Sequence, residues 1–124
     1  MASAALTIRE VADKTGMTTH TLRYYERIGL MMPVTRSHSG HRRYGTDEIR
    51  WVELLGRLHA SGMPIRRMLE FARLMRRGDV AGRRALLDAH RLELEAKVAE
   101  LQATLRTVRA KIEHYDRGLA KRRA

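Results

Sequence analysis

The chain has 124 residues with 25 Lys and Arg against 14 Asp and Glu, a formal net charge of +11 and no cysteine. That length holds one small domain plus an extended appendage rather than two full cores, and the missing cysteines exclude a disulfide framework, a thiol switch and a thiolate metal site. No uncharged stretch exceeds eight residues, whereas a transmembrane helix needs about 20 apolar ones. Residues 1–6 lack the basic start and apolar stretch of a secretory signal, so a cytoplasmic protein is expected.

Thr7-Ile8-Arg9-Glu10 has the capping-box form, in which a hydroxyl and a Glu three residues on satisfy exposed backbone N–H groups. It predicts a short helix over 8–15 with Ile8, Val11 and Ala12 on one face. Gly16 supplies a tight turn, Thr18 and Thr19 are hydroxyl residues suited to cap a second helix, and Gly29 stops that helix after Ile28. Residues 33–36 and 42–44 are short extended candidates around the turn-rich 37–41, which reads as a two-stranded wing. Thr46-Asp47-Glu48 opens a third helix, continued at helical spacing by Ile49, Val52, Leu55, Leu58 and His59 to Gly62. Pro64 suits the first turn of a fourth, whose buried stripe is Ile65, Met68, Leu69, Ala72 and Met75.

The last segment carries a heptad seam: Leu94, Val98, Leu101, Leu105, Val108, Ile112, Tyr115 and Leu119 follow alternating steps of four and three, and Leu87 and Arg91 extend it backwards. A helix over 83–118 would be 36 residues, roughly 54 Å at the usual rise. It is too long to bury its seam on a domain of this size, so a homodimer is the simplest partner, with a helix folded back on its own domain as the alternative. The expected division is a flexible start (1–6), a winged helical domain (7–78), a linker (79–82), a dimerisation helix (83–119) and a basic tail (120–124).

Two helices joined by a Gly-containing turn form a helix-turn-helix, whose second helix places its N-terminal residues near base edges in the major groove. The candidate DNA-binding residues on it are Thr18, Thr19, His20, Arg23 and Tyr24, with Arg23 suited to a guanine edge or a phosphate. The alternative makes Tyr24 and Tyr25 core aromatics and pairs Arg23 with Glu26, or Arg27 with Asp13 or Glu26. From Arg27 to Thr46 there are four cations and no acid, so Arg36, Arg42 and Arg43 are candidate phosphate contacts on the wing. Tyr44 either joins them or braces the hairpin.

Thr-Ile-Arg-Glu-Val-Ala, then Leu22-Arg23-Tyr24-Tyr25-Glu26-Arg27-Ile28-Gly29-Leu30, then Gly40-His41-Arg42-Arg43-Tyr44 and the long terminal helix, resembles the MerR family of bacterial transcription regulators. The likeness is strong over about 6–78 and extends to the last helix in length and pattern. It implies a mainly α fold, a winged helix-turn-helix domain followed by a dimerisation helix that pairs antiparallel in a coiled coil. It places Arg23 and Tyr24 on the recognition helix and Arg42, Arg43 and Tyr44 on the wing. It implies double-stranded promoter DNA as the partner: a dimer binds a pseudo-palindrome and bends and untwists an overlong spacer so that RNA polymerase engages both promoter elements. DNA deformation of this kind costs on the order of 1–6 kcal/mol.

The departures concern the signal. Metal- and redox-sensing relatives use cysteines that this chain lacks, and no room is expected after Leu119 for the ligand domain of drug-sensing ones. His38 and His41 sit in the wing, so no metal and no cofactor are expected. Pro64-Ile65-Arg66-Arg67 replaces the family's usual Ser-Leu-acid-acid start. A small effector pocket, if there is one, is expected at His90 and Arg91, and the seven methionines read as core filling. No nucleophile, base and orienting group occur together and no phosphate-binding glycine loop is present, so the chain is not expected to be an enzyme. The competing readings are an architectural winged-helix protein of excisionase type and a coiled-coil adaptor with incidental charge.

Overall fold

The computed structural model describes residues 5–31, 35–36 and 42–123. Thr7 opens α1 (Ile8–Thr15) by the reciprocal bonds its neighbours dictate: the Thr7 N–H donates to Glu10 Oε1 at 3.0 Å and the Glu10 N–H to Thr7 Oγ1 at 3.2 Å. Gly16 closes the helix at φ 74°, a left-handed conformation that L side chains rarely adopt. Thr18 then caps α2 (Thr19–Arg27), its Oγ1 accepting the Thr21 N–H at 3.0 Å. Val11 and Ala12 of α1 and Leu22 and Tyr25 of α2 are buried, which fixes the two helices back to back around the turn.

β1 (Thr35–Arg36) and β2 (Arg42–Arg43) pair antiparallel, with Thr35 opposite Arg43 and Arg36 opposite Arg42. This is the expected hairpin; its connection, with His38 and His41, lies outside the described residues, as do Pro33 and Val34. Tyr44 leaves the hairpin to pair with Leu6, each N–H donating to the other's carbonyl at 2.7 Å. Leu6 therefore belongs to the fold and not to a loose N-terminus.

α3 (Thr46–Ala60) and α4 (Ile65–Arg76) complete the core with Ile49, Trp51, Val52, Leu55, Leu58, Met68, Phe71 and Ala72. Two residues of the expected stripes face water instead. His59 is exposed in the last turn of α3, where a cation suits the negative end of the helix, while Leu58 takes the buried place. Met75 is 38% exposed, near the end of α4. Trp51 and Phe71 fill the space between the two helices, stacked at 5.3 Å with 12° between their planes. Pro64 stands one position before its expected place: it is the N-cap, in extended conformation, and its carbonyl accepts from the Arg67 and Met68 N–H groups.

α5 (Val80–Arg123) has 44 residues, a length of about 66 Å. The expected linker over 79–82 shrinks because Asp79 is a helix cap: its Oδ1 accepts the Gly82 N–H at 2.8 Å, after a left-handed Gly78 at φ 68°. A Cβ on Gly82 would meet Asp79 Oδ2 at 2.7 Å and Leu74 Cδ2 at 3.0 Å, so the glycine admits that cap. At the other end the basic tail is helical through Arg123. The chain divides into two compact units, 1–84 and 85–124. The second is a helical stretch on which Val98, Leu101, Leu105, Val108, Ile112, Tyr115 and Leu119 are each 45–68% exposed.

Candidate DNA-binding surface

The buried Leu22 and Tyr25 turn one side of α2 inward, so helical geometry turns His20, Arg23, Tyr24 and Arg27 outward together. His20, Arg23 and Arg27 are exposed, Thr19 and Tyr24 half-buried. Among the described residues Arg23 makes no ion pair, so its guanidinium keeps its donors for a ligand. Arg27 instead lies over the Tyr24 ring, 5.7 Å from its centre, and shares a face with it. The two tyrosines, 6.2 Å apart, divide the alternatives: Tyr25 is core, and burial, with the Tyr24 phenol as a second cause, pushes its own phenol above the usual range. Thr18 spends its hydroxyl on the cap and on Thr21 Oγ1 at 2.9 Å.

For Arg36, Arg42 and Arg43 the structure gives the paired backbone, directly after α2 in the chain. Tyr44 is 0% exposed, so the expected phosphate contact gives way to the bracing role: its ring is core and its backbone holds Leu6. At the suggested effector position His90 is 4% exposed and lies 3.9 Å from Glu93, and the Arg91 guanidinium is tied within its helix to Asp88 and Glu95, each at 2.8 Å. Those carboxylates, Asp88 first, raise the Arg91 pKa. Along the heptad seam, Leu87 and Leu94 are half-buried and Val98 to Leu119 exposed. Among the described residues no helix is long and apolar enough to cross a membrane.

A helix-turn-helix with cations on the outer face of its second helix, an antiparallel hairpin after it and a long helix with an open heptad seam define a winged helix-turn-helix regulator. Residues 6–73 match the model of the MerR HTH family regulatory proteins. The chain is 38% identical over 91 residues to the HTH-type transcriptional regulator AdhR of Bacillus subtilis, a match covering 72% of this chain and 65% of that relative. It is 31% identical over 122 residues to the uncharacterized HTH-type transcriptional regulator YyaN of the same organism, covering 87% of this chain and 88% of the relative. Among solved structures it is similar to HiNmlR, a MerR family regulator lacking the sensor domain, bound to promoter DNA, with TM-score 0.83, 29% identity and 94% of each chain covered. The chain belongs to the MerR family, whose members matched here are transcription regulators and not enzymes.

Proposed function

We propose that the chain acts in the cytoplasm as a homodimeric, sequence-specific transcription regulator that reads a pseudo-palindromic element in double-stranded promoter DNA. The observation that carries this reading is the outer face of α2, where Arg23 keeps its donors open beside Tyr24 and Arg27, with the arginine-rich hairpin next in the chain. Arg23 reads a guanine edge or anchors on phosphate, Thr19 and His20 line the approach, and Arg36, Arg42 and Arg43 hold the adjacent backbone. The dimer forms through the seam from Leu87 to Leu119, whose exposed apolar residues need a second helix of equal length. Likeness to a family regulator bound to promoter DNA over 94% of both chains supports this over an architectural protein of excisionase type. Distortion of the spacer, which presents both promoter elements to RNA polymerase, follows from the resemblance of the whole chain to the family.

The test is a selection of duplexes from a random library by the purified dimer, followed by binding of the selected duplex at physiological salt. Arg23→Ala combined with Arg43→Ala is expected to weaken that binding by about a hundredfold, the sum of a base-edge and a phosphate contact. Unchanged retention of the selected duplex by the double variant would sink the reading.

A further inference from the structure

The segment from Gly29 to Met31, which carries the chain from the end of α2 toward the wing, is held from outside itself. Leu30 is 0% and Met31 6% exposed, so the carbonyls of this turn need partners within the protein. All three are taken by side chains of other helices. Trp51 of α3 donates its Nε1–H to Leu30 O at 2.8 Å. Arg76, the last residue of α4, donates through Nη2 to Gly29 O and to Met31 O, the latter at 3.1 Å. One Nη2 carries two hydrogens, so these bonds occupy both of them. Trp51 also stacks on Phe71, so α3 and α4 present the two donors as one braced surface.

We propose that Arg76 is a positioning residue for DNA reading: its guanidinium clamps the carbonyls of Gly29 and Met31 and thereby fixes the wing at one angle to the recognition helix. The inference rests on the reading that α2 and the wing bind DNA together. An exposed arginine on a DNA-binding domain has an obvious competing role as a phosphate contact, but a contact of that kind aims its donors at solvent. Here one arm of the fork points back into the protein at two backbone oxygens 45 or more positions away in sequence. A lysine does not replace it, because its Nζ ends one bond short of the place of Nη2 and its flexible stem has no planar group to aim the hydrogens. Loss of the clamp leaves every cation that attracts DNA in place. It lets the hairpin move relative to α2, so base edges and flanking phosphates are no longer met in one register. Binding to the selected sequence then suffers, and attraction to DNA in general does not.

The experiment compares wild type, Arg76→Met and Arg76→Lys on two duplexes of equal length, one selected from a random library by the wild type and one of mixed sequence, each over a salt series. The expected result is a loss of about tenfold on the selected duplex for both variants, with less than about a twofold change and an unaltered salt slope on the mixed one. Trp51 is the single tryptophan, so its emission without DNA is expected to move to longer wavelength in both variants as the junction loosens. Equal losses on both duplexes for Arg76→Met, with a shallower salt slope and recovery in Arg76→Lys, would make Arg76 a phosphate contact and overturn the proposal. So would an unchanged preference for the selected duplex. If Arg76→Met fails to fold, Arg76→Lys carries the same comparison. A wild type that selects no duplex removes the DNA reading and this inference with it, whereas a wild type that selects one and variants that match it remove the clamp alone.

Discussion

Tyr25 is 4% exposed, and the tyrosine beside it on α2 is half-buried with an arginine over its ring. Burial disfavours the phenolate of Tyr25, and the neighbouring Tyr24 adds to this, so its pKa in the folded protein lies above the usual 10.0. The native state therefore holds this proton at pH values where the unfolded chain has begun to lose it. Stability from this group is complete below about pH 10 and is lost as pH rises through the raised native value. Urea midpoints measured between about pH 8 and 11 are expected to fall more steeply for wild type than for Tyr25→Phe, which keeps the ring and has no proton to lose. Parallel curves would show that the phenol is not held as the fold implies. The sequence left both tyrosines of α2 open between core and DNA, and the fold divides them by burying Tyr25 beside Leu22. It left Tyr44 open because a single residue at a strand end has no period to read, and its complete burial in the fold decides it.

At the scale of elements, the parts legible in sequence are those whose cause lies within a few residues. The Thr7–Glu10 box and the glycine turn after it gave α1 at its observed bounds, and the hydroxyl pair Thr18-Thr19 gave the start of α2, which ends at Arg27, one residue before the expected Ile28. Periodicity gave most of α3 and α4, but it passed over Trp51 and Phe71, whose burial depends on each other across two helices. It could not find Arg76 at all, since a clamp on Gly29 and Met31 is made only when α4 folds against the end of α2. The start of α5 was placed late because Asp79 went unread as a cap. The seam itself was legible as a strict alternation of three and four, and the chain leaves Leu101 and Leu105 68% and 45% exposed. Two buried carboxylates cannot be tolerated in such a seam, so Leu101→Asp with Leu105→Asp is expected to give monomers in sedimentation and a large loss of binding to the selected duplex. An unchanged dimer would refute the seam as the interface.

For the whole molecule the excess charge of +11 has to be apportioned, because only part of it can lie against DNA. Residues 1–62 and 63–82 each carry a net +3, and 83–124 carries +5, the largest share. In that last segment Lys121, Arg122 and Arg123 occupy the final turn of α5, where cations complement the negative end of the helix and remain fully hydrated. Under the proposed function the charge that meets DNA is instead the acid-free run from Arg27 to Thr46 together with Arg23, present twice in a dimer. Each phosphate neutralised releases condensed counterions, so log affinity falls against log salt with a slope of about −0.9 per contact. A dimer is therefore expected to show about twice the slope of the Leu101→Asp, Leu105→Asp monomer on the same duplex. Arg42→Ala with Arg43→Ala should make the dimer's slope shallower by about four contacts, two from each protomer. Neutralising Lys121, Arg122 and Arg123 to glutamine removes more charge from each protomer yet is expected to leave the slope where it was. If the tail variant flattens the slope as much as the hairpin variant does, the largest cluster of charge in the chain touches DNA after all, and the division of labour between the two units is wrong.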